Sequence, residues 1–470
     1  METRTEHDSL GPVEVPVDRY WGAQTQRSLR NFDIGDQTMP RAMIRALGTV
    51  KWACAEANTD FGLMEEEARD LVQSAAREVI EGELDAHFPL RVWQTGSGTQ
   101  TNMNTNEVIA NRAIELAGGE IGTKEPIHPN DDVNMSQSTN DSFPTATNVA
   151  VVHMFREQVI PAVEHLRSEL ADKADEFDDI IKTGRTHLMD ATPIKLGQEF
   201  RGYVGQLDYA LDALEDALEL LYEVPIGGTA VGTGLNTPEG FGEHVCEVLT
   251  RETGYPFEPA RETYSQLAGK EPLSEAHGAL KTLATSLNKL GNDIRWMSSG
   301  PRCGIGEISI PANEPGSSIM PGKINPTQGE ALVMVCAQVF GNDATVSYAA
   351  GGGNFELNVY KPLLAHTVLE SAELLADAVE SFTDKCVVGI EPNEEQLEEY
   401  LEQSLMLVTA LNPHIGYDKA AEVAKKAHRE GTTLEEAVVE LGYMTAEEFR
   451  DAVDPAEMVA PNVDAELDED

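Results

Sequence analysis

The stretch "VGQLDYALDALEDALELL", Val204 to Leu221, sets Val204, Leu207, Leu211, Leu214, Leu218 and Leu221 at alternating steps of three and four. With about 3.6 residues per helical turn, that spacing returns an apolar side chain to one face of an α-helix at every turn. Leu273, Ala276, Leu280, Leu283, Leu287, Leu290 and Ile294 repeat the pattern. A looser version runs through Val152, Phe155, Val159, Val163, Leu166 and Leu170, where Pro161 predicts a kink. One apolar stripe per helix directs such helices to pack nearly parallel in a bundle. Segments near 326–350 and 361–386, rich in Ala, Leu and Val, read as two further long helices. At about 1.5 Å per residue these helices reach roughly 40–50 Å. A single small protomer seldom covers that length, so association between chains is expected.

Around this bundle the chain divides into three parts. Residues 1–138 form a mixed segment with shorter helices expected near 40–62, 65–82 and 100–117. Residues 139–390 hold the long helices, and 391–470 hold short charged ones such as "EEQLEEYLEQS" and "DKAAEVAKKAHREG". Few runs read as strands, and the tail "VDAELDED" reads as solvated. The fold class expected is all-α.

The 470 residues carry 81 Asp and Glu against 34 Lys and Arg, a formal charge of −47, while 41% are hydrophobic. A buried core is therefore available, but the charge opposes binding to nucleic acid or to anionic membranes. So large an excess repels itself until salt screens it, which we read as adaptation to a very salty cytoplasm. Cys54, Cys246, Cys303, Cys336 and Cys386 lie far apart without a C-x-x-C pair. They are expected to be buried, reduced thiols, not a cluster, zinc or disulfide framework. No run of eighteen apolar residues occurs, and "METRTEHDSLGPVEV" lacks the apolar core of a signal peptide. A soluble, cytoplasmic protein is expected.

Four polar stretches, three of them with glycine, interrupt the helices: "TGSGTQTNMNTNE" (95–107), "HPNDDVNMSQSTND" (128–141), "TGRTHLMDATP" (183–193) and "GSSIMPGKINPTQGE" (316–330). Turn and capping chemistry accounts for any one of them. The windows 93–106 and 315–328, however, contain no acidic residue in this very acidic chain. A carboxylate ligand wants amides, hydroxyls and a cation without acids nearby. Gly96, Ser97, Gly98 and Thr99 lead into a predicted helix, whose first turn presents free N–H groups to an anion. Lys323 supplies a full charge. His187, after Arg185 and Thr186, is suited to proton transfer near neutral pH, although a structural role for it stays open.

These residues bring a resemblance into view. "GSSIMPGKINPTQGE" resembles the signature of the fumarase/aspartase superfamily, S-S-x-M-P-x-K-x-N. "DRYWGAQTQRS", "GSGTQTNMNTNEV", "HPNDDVN", "GRTHLMDATP", "GGTAVGTGLN" and "NPHIGYDKAA" match the same family in order, from about residue 8 to residue 430. Within it the chain is most similar to the class II fumarate hydratases. Aspartase usually has Gln at the His187 position, "HPNND" for "HPNDD" and "MPAK" for "MPGK"; "QSTND" (137–141) fits both. Met135 replaces a frequent Lys, and Glu125 stands where an Arg often helps to form a second site.

The resemblance implies a homotetramer with a twenty-helix core and active sites shared between subunits. It also implies reversible hydration of fumarate to (S)-malate, without metal or organic cofactor. Ser317 would take the carbon proton, and His187 would act at the hydroxyl end with Glu330 orienting it. Ser97, Gly98, Thr99, Asn140, Thr186, Lys323, Ile324 and Asn325 would hold the dicarboxylate, with Ser138, Thr139 and Ser318 adding hydrogen bonds. His128, Pro129, Asn130 and Asp131 match an accessory site, for which an ordinary turn is the other reading. The alternatives are ammonia addition as in aspartase, which His187 disfavours, and a non-catalytic helical scaffold. Argininosuccinate and adenylosuccinate lyases share the loop logic but fit the flanking motifs less well.

The charge excess makes a first prediction. The melting temperature should rise between dilute buffer and molar potassium chloride; an unchanged or lower value would contradict the proposed salt adaptation.

Overall fold

A computed structural model describes residues 2–461; the sequence "VDAELDED", read above as a solvated tail, lies outside them. The helices in chain order are α1 (Ala23–Asn31), α2 (Arg41–Asp60), α3 (Glu66–Glu81), α4 (Thr99–Leu116), α5 (Thr139–Met154), α6 (Ile160–Glu176), α7 (Leu196–Leu221) and α8 (Phe241–Thr253). There follow α9 (Thr263–Ala268), α10 (Glu271–Met297), α11 (Thr327–Ala350), α12 (Lys361–Lys385), α13 (Glu394–Gln403), α14 (Asn412–Ile415), α15 (Tyr417–Glu430), α16 (Leu434–Glu440) and α17 (Ala446–Ala452). The fold is all-α.

By its internal contacts the chain forms two compact units. Among the described residues, the first comprises those up to 162, 210–285 and 334–377, and the second 163–209, 286–333 and those from 378 onward. The divisions fall inside α6, α7, α10, α11 and α12.

Every residue of the stripe predicted in α10 is buried, as is every one of the six from Val152 to Leu170. In α7 the buried line runs through Tyr203, Leu207, Ala210, Leu214, Ala217 and Leu221, while Val204 and Leu211 lie half-buried on its flank. Large leucines mark the face, but small alanines sit at its centre. Pro161 follows a π-helical turn, Phe155–Val159, that separates α5 from α6. Proline has no N–H to donate back along the helix, and the wider turn absorbs the missing bond.

In the first unit, the buried imidazole of His277 on α10 lies between Asp343 of α11 (3.2 Å from Nδ1) and Ser371 of α12 (3.0 Å from Nε2). Burial pushes the His277 pKa down, so the ring is held neutral. Nδ1–H then donates to the carboxylate, and Nε2 accepts from the Ser371 hydroxyl, which in turn accepts from the Asn342 amide at 3.0 Å. Lys281 completes the set, its ammonium 2.7 Å from the other Asp343 oxygen.

Three expectations need correction. "TRTEHDSLGPVEVP" contains an antiparallel hairpin, β1 (Thr3–Asp8) and β2 (Gly11–Pro16), turned at Ser9 and Leu10 just before Gly11, whose φ is 111°. Its signal, buried Val13 and Val15 alternating with exposed residues, is only two side chains long. A second hairpin, β3 (Ile181–Thr186) and β4 (Met189–Lys195), contains the stretch read above as a polar loop. Cys303 is exposed, because it lies after α10 in the Gly- and Pro-rich segment 300–306, where no apolar stripe draws it inward; the other four cysteines are buried. Two-residue pairs complete the strands: β5 (Glu223–Val224) with β6 (Glu258–Pro259), and β7 (Ile308–Ser309) with β8 (Glu391–Pro392). Among the described residues, no helix is long and apolar enough to cross a membrane.

The His277 network leads to a stability prediction. His277→Ala would take one of two partners from both the Ser371 hydroxyl and the Asp343 carboxylate and leave a cavity, lowering the unfolding free energy by about 3 kcal/mol. Denaturant titration would measure this, and a change within error would mean that the network does not hold α10, α11 and α12 together.

Candidate active site

The first unit carries two of the polar stretches as helix starts. Gly98, with φ 83°, turns the chain into α4, and Ser97 Oγ lies 2.8 Å from Thr99 Oγ1. Gln94 Oε1 accepts from the N–H and hydroxyl of Thr101, and Gln100 Oε1 from the N–H of Thr95. Among the described residues, the N–H groups of Ser97, Thr99 and Gln100 have no acceptor. That is the donor array an anion needs at a helix start. Gly96 has no room for a side chain: a Cβ there would lie 1.6 Å from the Val359 carbonyl oxygen.

Ser138 caps α5. Its hydroxyl accepts from Asn140 N–H at 3.2 Å, and Asp141 Oδ1 accepts from Ser138 N–H at 2.9 Å, a reciprocal capping box. Thr139 Oγ1 accepts from the Asn102 amide at 3.0 Å. The Asn140 side chain donates to Ala230 O at 2.8 Å. Asp141 is fully buried, and its second oxygen accepts from Gly227 and Thr229 N–H. Burial pushes its pKa up to about 6, against the pull of those N–H bonds and of Lys51. The "GGTAVGTGLN" loop is thus built around the Asn140–Asp141 pair.

The second unit carries the groups suited to proton transfer. Thr186 pairs with Met189, so His187 and Leu188 alone form the β3–β4 turn, both at positive φ (58° and 61°). Such a two-residue turn usually takes Asn or Gly, and an ordinary L residue is strained there by about 1 kcal/mol or more. The strain presents the His187 ring at an exposed tip, beside Leu188 and Met189, which are 73% and 69% exposed. The base of the hairpin is fixed by buried Glu307, which accepts from Arg185 at 2.5 Å and pairs with buried Lys182 at 2.9 Å; Lys182 also reaches Glu199 at 2.7 Å.

The "GSSIMPGKINPTQGE" loop closes on itself. Asn325 donates to Gly316 O, and Lys323 Nζ lies 2.7 Å from Asn325 Oδ1. Ser317 Oγ accepts from the N–H groups of Ile319 and Met320, at 3.3 and 3.1 Å. Two amides aimed at one hydroxyl oxygen favour its ionised form. Ser318 and Ile324 are exposed on the same loop, and Glu330 is exposed in the first turn of α11. Within one chain, neither Glu330 nor Lys323 hydrogen-bonds to His187 or Ser317.

At the accessory turn, His128 Nδ1 accepts from Asn130 and Asp131 N–H, each at 3.1 Å, and His128 N–H donates to Asp132 at 2.6 Å. Pro129 is buried, and Asn130 and Asp131 are exposed. Among the described residues, no group of three His, Cys, Asp or Glu side chains is placed to hold a metal ion.

The comparisons with known proteins agree with this arrangement of motifs. Residues 11–341 match the Lyase family model, and 407–460 match that of the Fumarase C C-terminus. The class II fumarate hydratase of Thermosynechococcus vestitus is 62% identical over 448 residues, 95% of this chain and 96% of its own. That of Ralstonia nicotianae is 59% identical over 98% of this chain and 100% of its own. The chain belongs to the class II fumarate hydratase family. The crystal structure of a class II fumarase from Schistosoma mansoni superposes with a TM-score of 0.95 at 46% identity, covering 97% of this chain and 99% of that one.

Sequence reasoning missed the groups behind the loops: Asp141, Lys51, Lys182, Glu307 and Lys361. Asp141 had a signal, since it stands three residues after Ser138 in capping-box spacing. The packing at Gly96 makes a prediction. Gly96→Ala should lower the unfolding free energy by about 2 kcal/mol or more, whereas Gly202→Ala, where a Cβ meets nothing within 4 Å, should be neutral or mildly stabilising. Equal effects in urea titrations would show that the Gly96 contact is not limiting.

Proposed function

We propose that the protein catalyses the reversible hydration of fumarate to (S)-malate. The observation that carries this reading is the Ser317 hydroxyl, aimed at by two backbone amides in a loop that also holds Lys323 and Asn325. The relatives bearing the name fumarate hydratase support it over nearly the whole chain.

In the dehydration direction a proton leaves the carbon beside one carboxylate, and hydroxide leaves the adjacent carbon. The intermediate is a dianionic aci-carboxylate, so the site must tolerate extra negative charge. Ser317 Oγ takes the carbon proton, its anionic form favoured by the Ile319 and Met320 N–H groups. His187 delivers a proton at the departing hydroxyl through a water, with Glu330 orienting the ring. Ser97, Thr99, Asn140, Thr186, Lys323 and Asn325 hold the two carboxylates, helped by Gly98, Ser138, Thr139, Ser318 and Ile324. His128, Pro129, Asn130 and Asp131 form an accessory dicarboxylate site. Hydration itself consumes only water.

The active unit is a homotetramer in which different subunits complete each site. The exposed face of α11 supports this. Its 24 residues include only two charged ones, Glu330 and Asp343, in a chain that is 24% charged. Met334 and Tyr348 on it are 66% and 74% exposed, the surface expected of helices that pack against other copies. Within each subunit, residues 1–138, 139–390 and 391–470 act as N-terminal, bundle and C-terminal domains. The five free cysteines suit a reducing cytoplasm.

Purified protein in concentrated salt, without added metal, should remove the ultraviolet absorbance of fumarate. Ser317→Ala and His187→Asn should each lower kcat about a hundredfold or more while the circular dichroism spectrum stays unchanged. Near-normal turnover in either variant would remove that residue from the proposed chemistry.

A further inference from the structure

Lys361 lies at the first position of α12 and is 2% exposed. Its main-chain N–H donates to Gly96 O at 3.0 Å, and the Val359 carbonyl just before it fills the space beside Gly96. Its ammonium donates to the main-chain carbonyl of Asn140 at 3.1 Å. That carbonyl is free for a reason written in the sequence. The residue four positions on, which would normally donate to it within α5, is Pro144. One residue therefore joins the Gly96–Thr99 turn to the Ser138–Asn140 turn, by its backbone on one side and its side chain on the other.

We propose that Lys361 is a positioning residue for the hydration reaction: it holds the two carboxylate-binding turns of this unit in register, and its buried charge is drawn on when the dianion binds. This rests on the function proposed above. Lys361 acts through Gly96 and Asn140, without touching substrate. The charged groups that act on it are Asp141 of α5 and Lys270 ahead of α10, and Asp141 is also acted on by Lys51 and Cys54 of α2. The burial of Lys361 pulls its pKa down to about 7, against the attraction of Asp141, and the neighbouring Lys270 is itself pulled well down, by burial and then by Lys361. In the free enzyme the ammonium is thus lost as pH rises through about 7, and an arriving dianion favours the charged form. Binding above that pH takes up a proton, so KM for fumarate rises with pH.

The test uses full-length assembled enzyme, with initial rates of fumarate hydration measured from pH 6 to 9. Inactive wild-type protein would refute the proposed function and not this inference in particular. With active wild type, KM should be flat below about pH 7 and rise above it, as the titration of Lys361 requires. K361Q keeps a donor for Asn140 but no charge. Its KM at pH 6 should be about tenfold higher and nearly independent of pH, with kcat changed much less. K361R stays charged throughout, so its KM should not climb toward pH 9. A KM profile for K361Q that matches wild type would overturn the proposal. Should K361Q not fold, a K361R profile identical to wild type would overturn it. A wild-type KM that stays flat from pH 6 to 9 overturns it whatever the variants do.

Discussion

A lysine ammonium withdrawn from water must find oxygen atoms or lose its proton, and that constraint shapes the first unit. Lys51, Lys270 and Lys361 are all buried there. Lys51 binds the side-chain oxygens of Asn134 and Gln137, Lys270 the carbonyls of Gln266 and Gly269, and Lys361 the carbonyl of Asn140. These partners are dipoles, not charges. The carboxylate nearest to both Lys51 and Lys361 is Asp141, itself bound by three main-chain N–H groups. Where they keep their protons, these ammonium groups are solvated by dipoles of the protein, while burial pulls the pKa of each one down. Below about pH 7, where Lys361 holds its proton, a positive charge lies beside the Gly96 and Asn140 turns.

The second unit handles its buried cation differently. Lys182 sits between the carboxylates of Glu199 and Glu307, and Arg185 shares Glu307. Breaking such a buried pair from one side costs about 3–5 kcal/mol, which makes the arrangement a rigid support for the strained turn at His187. Paired cations fix geometry here, whereas the dipole-bound lysines of the first unit carry a charge that depends on pH. Lys323, the lysine singled out by motif, is exposed and held by Asn325. Chemistry at the surface of the chain is thus supported by charges placed well beneath it.

The long helices were legible because their apolar residues recur at the helical period, and α2, α3, α4, α11 and α12 begin and end within a residue or two of the expected positions. The polar stretches stood out from the helices through their composition and motif. The turn at His187 and Leu188 was not, since neither residue is Gly or Asn and the backbone sign follows from strand pairing on both sides. The hairpin at Thr3–Pro16 was hidden by its charge, because polar residues on its exposed face outnumber the two buried valines. Nothing local distinguishes Lys361 from the other lysines of the chain. Its burial depends on what α5 and the Gly96 turn place around it, and the clue, Pro144, lies more than two hundred residues away.

Burial of the cations also reconciles the site with the surface. A chain of net charge −47 repels a dianion in dilute buffer, where the Debye length is about 30 Å at 0.01 M. At 1 M salt that length falls to about 3 Å, and the repulsion from exposed carboxylates is lost. The same screening would weaken attraction to exposed lysines. Ammonium groups covered by α2, α5 and α12 are beyond the reach of mobile ions, and their effect on a ligand at the turns passes through protein of low polarisability. Salt then removes the unfavourable part of the field and, at a pH where the buried lysines hold their protons, leaves the favourable part in place. Acidic residues outside and lysines inside are two sides of one electrostatic arrangement, and the first is tolerable for a dicarboxylate enzyme because the second is buried.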